Sequence, residues 1–114
     1  MLSFWVTWCP YCQKQTSVLV DAAAQYTSQG IQFIGVNVKE DAATVQFYVD
    51  SAKISYPILL DSDGVVAQQY GVNGFPITFF LDSSGRVITQ HTGALTADDI
   101  NSYISSMLAK PATK

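Results

Sequence analysis

Apolar and polar positions along the chain follow two periods, and the switches between them outline the elements. Leu2 to Val6 is a β-favouring apolar run broken by Thr7-Trp8-Cys9-Pro10, which reads as a strand entering a helix start. Pro10 suits the first helical position, where its missing N–H costs nothing. From Tyr11 to Gln29 the apolar positions Cys12, Leu19, Ala22, Ala23 and Tyr26 recur at helical spacing, and Gly30 supplies a C-terminal cap. Ile31 to Val38 is apolar except for Gln32 and Asn37, as expected of a strand covered on both faces. Strand, helix and strand together predict a right-handed parallel βαβ unit.

A second such unit follows. Asp41 to Ala52 carries Val45, Tyr48, Val49 and Ala52 on one helical face, and Tyr56-Pro57 leads into the short strand Ile58 to Leu60. Asp61-Ser62-Asp63-Gly64 has turn chemistry, Val65 to Tyr70 predicts a short helix ended by Gly71, and Val72 to Pro76 is a loop. Ile77 to Leu81 and Arg86 to His91, joined by Asp82-Ser83-Ser84-Gly85, predict an antiparallel hairpin. Thr96 and Asp99 open a final helix whose buried stripe is Ile100, Tyr103, Ile104, Met107 and Leu108, and Pro111 marks a frayed tail. The order β-α-β-α-β-α-β-β-α describes one α/β domain over residues 1–110 with a tail at 111–114. No repeat or linker interrupts it.

Composition narrows the function. At 114 residues the chain can bury one core but not two. Hydrophobic residues make up 48%, which excludes a disordered chain, and charged residues only 13%, against about 25% in an average soluble domain. The net charge is −3 and the six cations, Lys14, Lys39, Lys53, Arg86, Lys110 and Lys114, are scattered, so no basic patch exists to hold nucleic acid. No apolar run approaches the roughly 18 residues of a membrane helix, and Met1-Leu2-Ser3-Phe4 lacks the pattern of a signal peptide. A soluble monomer is the expectation.

The two cysteines, Cys9 and Cys12, are the whole thiol inventory. A bridge between them closes a four-residue loop, and because stabilisation by a bridge grows with loop length, chemistry explains this pair better than stapling. The motif Trp8-Cys9-Pro10-Tyr11-Cys12 places Cys9 at a helix N-terminus and Cys12 one turn inside. Unpaired N–H groups and the positive end of the helix dipole stabilise a thiolate at Cys9, the expected nucleophile. Cys12 faces the interior, where a thiolate is disfavoured until a mixed disulfide has formed, which suits a resolving thiol. Neither role needs a cofactor. Structural zinc requires four ligands, and beyond the two thiols only His91 is available as a further Cys or His, so no metal is expected. An inert chance pair is the other reading, set against its position between a strand and a helix. The loop ending in Phe75-Pro76 is the second candidate, because a Pro entering a strand there fits either a cis bond or an ordinary trans strand start.

With these pieces in place the chain resembles the TlpA/ResA branch of the thioredoxin superfamily. The segments that carry the resemblance are Phe4-Trp5-Val6-Thr7-Trp8-Cys9-Pro10-Tyr11-Cys12, Gly35-Val36-Asn37-Val38, Tyr56-Pro57-Ile58-Leu59-Leu60-Asp61, Gly71-Val72 and Phe75-Pro76 through Asp82 with Gly85. The resemblance implies a thioredoxin fold, a central mixed sheet flanked by helices. The αβ insertion of this branch falls at about residues 40–60, and the N-terminal segment that usually precedes the motif strand is missing. It further implies a protein-disulfide oxidoreductase that exchanges disulfides with protein substrates, and a redox partner protein that resets the pair. The implied Pro76 is cis, packed on the cysteines, with Phe75 offering backbone groups to an extended substrate. Glu40, the one Glu in the chain, matches an acid beneath the active site; a solvated helix-start carboxylate is its plainer reading. The family setting implies an extracytoplasmic location and a link to cytochrome c maturation.

Departures from the wider superfamily mark where the expectation is open. Ser3 stands at the position of thioredoxin's buried Asp and cannot exchange protons at neutral pH, leaving Glu40 or water to relay them. The Pro10-Tyr11 dipeptide is that of glutaredoxins, but their glutathione-binding pattern after the Pro is absent, and Trp5 and Trp8 are kept. Trp8 either shields the Cys9 sulfur on a docking surface or merely packs; Tyr11 lies between the cysteines and can meet partners; His91 reads as an edge-strand residue. Both a reductant and an oxidant of this fold are compatible with the pair, and a redox-passive docking module built on the Phe75-Pro76 groove is the rival from another class. A peroxidase of the same superfamily needs an activating Arg, and the single Arg86 is far from Cys9 in sequence.

Overall fold

The opening apolar run forms strand β1 (Leu2–Trp5). In the computed structural model, which describes residues 1–109, it lies at the centre of the sheet; the expected tail at 111–114 lies outside the described residues. Helix α1 (Pro10–Tyr26) follows, then strand β2 (Ile34–Val38), helix α2 (Ala42–Ala52), strand β3 (Ile58–Asp61) and the short helix α3 (Val65–Gln69). Strands β4 (Ile77–Leu81) and β5 (Val87–Thr92) form the hairpin, and α4 (Ala97–Ala109) closes the fold. The sheet runs β3-β2-β1-β4-β5, parallel from β3 to β1 and antiparallel from β1 to β5.

Strand alternation sets what each face holds. Phe4 pairs with Val36 and Ile77, and these three share one face with Phe79, where the rings of Phe4 and Tyr70 lie 5.2 Å apart and Ala67 of α3 joins the cluster. Ser3 and Trp5 point the other way. On that face Leu19, Ala22, Ala23 and Tyr26 of α1 meet Phe80 and the Ile100 and Ile104 stripe of α4. A buried neutral network ties the layers together: the Ser3 hydroxyl accepts from Gln15 Nε2 at 2.8 Å and from the Thr78 hydroxyl at 3.1 Å, while Gln15 Oε1 accepts the Leu95 N–H at 2.8 Å. Gln15, Ser3 and Thr78 are each under 4% exposed, so these bonds satisfy polar groups that water cannot reach.

The element order expected from the sequence holds throughout, with physical reasons for the boundaries that moved. Helix α1 ends at Tyr26, not Gln29, because the Thr27 hydroxyl and N–H both turn back to the Ala23 carbonyl and a 3₁₀ turn runs on to Gly30, whose φ of +88° reverses the chain. Strand β2 begins at Ile34, not Ile31, because its partner β1 begins at Leu2; Ile31 and Phe33 are spent as core side chains with α1 and α4. The capping box expected at Thr96 and Asp99 forms reciprocally, each N–H donating to the other's side chain at 3.0 Å.

Asp61, at the end of β3, is buried and its carboxylate accepts the N–H groups of Val66 at 3.1 Å and Ala67 at 2.8 Å, fixing α3 against the sheet end. Asp61→Ala strands both donors, and a loss of about 2 kcal/mol in urea unfolding is expected, with Asp61→Asn losing less. Equal stability of Asp61→Ala and the parent would show that α3 is held by other contacts.

Candidate active site

The β1–α1 junction delivers both thiols. Cys9 is the N-cap of α1, in extended backbone conformation, and its sulfur accepts the Cys12 N–H at 3.1 Å. Pro10 fills the first helical turn without wasting a donor, and no acidic side chain occupies that turn. Both cysteines are free and buried. Burial first, and then the hydrogen bond to Cys9, push the Cys12 thiol up to about 12. The two sulfurs thus differ in setting: the Cys9 sulfur caps the helix and accepts the Cys12 N–H, while burial holds Cys12 as a thiol.

Across from the junction, the loop before β4 supplies a second wall. The Phe75–Pro76 peptide bond is cis, Pro76 is fully buried, and the Pro76 carbonyl accepts the Gly93 N–H at 2.9 Å. Cys9 Sγ lies 3.7 Å from the Phe75 carbonyl oxygen. Between the walls lies a groove of about 470 Å³, lined by Trp8, Cys9, Pro10 and Tyr11 on one side and Val72, Asn73, Gly74 and Phe75 on the other. Trp8 is 69% and Tyr11 62% exposed, so these rings are not packed core but the rim of the groove.

Glu40 reaches the same junction from the β2–α2 connection. Its Oε1 accepts the Thr7 N–H and Asn37 Nδ2, both at 2.8 Å, and its Oε2 accepts the Thr7 hydroxyl at 2.6 Å. Lys39, at φ +59°, makes the turn between β2 and Glu40, a conformation costing a side-chain-bearing residue on the order of 1 kcal/mol. The solvated reading of Glu40 therefore does not hold; the carboxylate is partly buried and clamps the residue two before Cys9. Helix α2 makes a further contact: the Tyr48 hydroxyl and the Thr16 hydroxyl lie 2.9 Å apart, and Thr16 donates to the Cys12 carbonyl at 3.0 Å.

Cys9, Cys12, Trp8, Pro10, Tyr11, Phe75, Pro76 and Glu40 thus converge on one end of the sheet. His91 does not join them: it lies on edge strand β5 with its Nδ1 3.0 Å from the Tyr103 hydroxyl of α4. Among the described residues no cluster of three metal-ligating side chains exists, and no helix is long and apolar enough to cross a membrane. Sequence reasoning passed over Thr7 and Asn37, the donors to Glu40. The signal for Thr7 was its place directly before Trp8-Cys9; for Asn37, a lone polar residue in an apolar strand.

Comparison with known proteins agrees with this geometry. The family model described as Redoxin matches residues 1–105. The thiol-disulfide oxidoreductase ResA of Bacillus subtilis (strain 168) is 34% identical over 110 residues, which cover 96% of this chain and 60% of ResA. The chain thus spans about six-tenths of the length of such relatives. Among solved structures, StoA from Bacillus subtilis superposes with a TM-score of 0.82 at 25% identity, covering 90% of this chain and 79% of StoA. A secreted Mycobacterium tuberculosis disulfide oxidoreductase homologous to E. coli DsbE gives 0.80 at 27% identity, covering 92% of this chain and 78% of that one. The fold is the thioredoxin fold.

The raised Cys12 thiol sets a pH dependence. An unfolded Cys12 ionises near its ordinary 9.0, whereas the folded one keeps its proton to about 12, so the reduced protein loses stability as pH rises through that window. Unfolding of reduced protein across the window is expected to show this loss and Cys12→Ala to remove part of it; burial raises the Tyr56 phenol as well, and that share persists in the variant. An unchanged slope in Cys12→Ala contradicts the assignment.

Proposed function

Because the chain belongs to the Redoxin family and one of its paired thiols, Cys9, lines a groove, we propose that it is a protein-disulfide oxidoreductase of the ResA type, acting through Cys9 and Cys12. The observation that carries the reading is the asymmetric pair: Cys9 Sγ capping α1 and accepting the Cys12 N–H, with Cys12 buried and held as a thiol. The Cys9 thiolate attacks one sulfur of a substrate disulfide, a mixed disulfide forms, and the first substrate thiolate leaves with one proton to gain. Cys12 then gives up its proton and attacks the Cys9 sulfur, which closes Cys9–Cys12 and releases the second substrate thiolate. Two electrons pass to the substrate in that direction, and a redox partner protein returns them.

Position suggests the supporting roles. Trp8, Pro10 and Tyr11 form one rim and Phe75 with Pro76 the other, so that an extended substrate segment lies between them and pairs with the backbone of Phe75. Glu40 holds the Thr7 backbone, and so the approach to Cys9, and with water receives the proton that leaves Cys12. No buried carboxylate stands at Ser3; its neutral network with Gln15 and Thr78 leaves the proton to the Glu40 side. The likeness to a secreted oxidoreductase supports an extracytoplasmic location, and the proposal takes the protein as a monomer that serves cytochrome c maturation.

Insulin reduction separates the roles. Cys9→Ser is expected to abolish turnover, and Cys12→Ser to stop turnover while accumulating mixed disulfides with substrate. A Cys9→Ser protein that still reduces insulin would falsify the assignment.

A further inference from the structure

Lys14 lies one helical turn beyond Tyr11, and its Nζ is 5.7 Å from the centroid of the Tyr11 ring. Residues three apart on a helix are surface neighbours, and a ring face attracts an ammonium group, so Tyr11 holds this charge against the rim of the groove. The residues lining the groove are otherwise poor in charge: Trp8, Pro10, Val72, Asn73, Gly74 and Phe75 carry none, and no carboxylate lies among them. Glu40, the acid that approaches the junction, is bound to Thr7 and Asn37 and is not among the residues that line the groove. The N-terminus of α1 adds its own partial positive charge in the same place. Lys14, carried on the Tyr11 ring, is therefore a full positive charge beside a groove whose own lining side chains carry none, on a chain whose net charge is −3.

From this we infer that Lys14 is a specificity-determining residue, which selects substrate segments carrying a carboxylate beside the half-cystine, on the side that crosses Tyr11. The inference rests on the exchange reaction proposed above. Two unit charges about 4 Å apart in water attract by about 1 kcal/mol, which sets the size of the effect at about three- to five-fold in rate. Because the charges are exposed, salt screens it.

The test uses peptides with one cysteine held as a mixed disulfide with 2-thiopyridine, flanked by Glu, Gln or Lys. Attack by the Cys9 thiolate on the peptide sulfur releases 2-thiopyridine and joins the peptide to Cys9; Cys12 then closes on Cys9 and frees the peptide thiol. One equivalent of pre-reduced protein is oxidised per peptide reduced. At low salt the order Glu faster than Gln faster than Lys is expected, with each step about three-fold and shrinking near 1 M salt. Lys14→Gln is expected to bring the Glu-to-Gln ratio close to one, and Lys14→Glu to reverse the order. Lys53→Glu, at the C-cap of α2 and away from the groove lining, alters net charge by the same amount and is expected to keep the parent order. Equal rates for the three peptides, or an order that survives Lys14→Glu, overturns the role of Lys14 while leaving the exchange reaction standing. Release of 2-thiopyridine from none of the peptides overturns the exchange reaction and this inference with it.

Discussion

The first turn of α1 is closed by a sulfur atom. A helix start leaves backbone N–H groups without partners, and an oxygen-bearing side chain usually takes them; here Cys9 Sγ accepts the Cys12 N–H instead. That one contact sets the two thiols in different surroundings. The capping sulfur sits where partial positive charge gathers, and the three-residue spacing that lets it cap also carries Cys12 inward, beneath the helix and away from water. The different settings of the two sulfurs, one capping the helix and the other held as a thiol by burial, follow from a single local geometry.

The rest of the molecule keeps that turn in place. Glu40 grips Thr7 by both its N–H and its hydroxyl, so the β1–α1 connection is fixed from the neighbouring β2–α2 connection. Gln15 anchors the second turn of α1 to Ser3 on the sheet and to Leu95 ahead of α4. Helix α2 adds Tyr48 against Thr16 and, at 5.1 Å between centroids, against the ring of Trp5. Helix α2 is thus a brace on the back of α1, and the chain beyond it supplies the edge strand β3. The groove forms where the loop ending in Pro76 faces this braced turn.

Much of this was legible in the sequence because it depends on local chemistry. The Cys9–Cys12 spacing, Pro10 at a helix start, the Asp82–Gly85 turn and the Thr96–Asp99 box each specify a structure within a few residues, and each formed as read. The convergence of Phe75 on Cys9 was legible only through family resemblance, since nothing in the local pattern places residues 66 apart beside each other. The grip of Glu40 on Thr7 spans 33 residues and depends on Lys39 at positive φ, which hydrophobic periodicity does not encode. Lys39 tells the same story from another side: its alkyl stem covers Gly64, where an added Cβ would come within 2.5 Å of Lys39 Cε. Pattern reading saw a lysine and a turn glycine; the fold made them a matched pair.

The claim on which all of this rests is that Cys9 and Cys12 act as one two-electron couple. Equilibration of the protein in graded glutathione and dithiothreitol buffers, followed by counting free thiols and weighing the intact chain, tests it directly. The account predicts that both thiols disappear together in one two-electron transition, with the chain lighter by two hydrogens and no adduct remaining. Thiols that stay free at every ratio, or a lasting glutathione adduct on Cys9 with Cys12 still free, would contradict it.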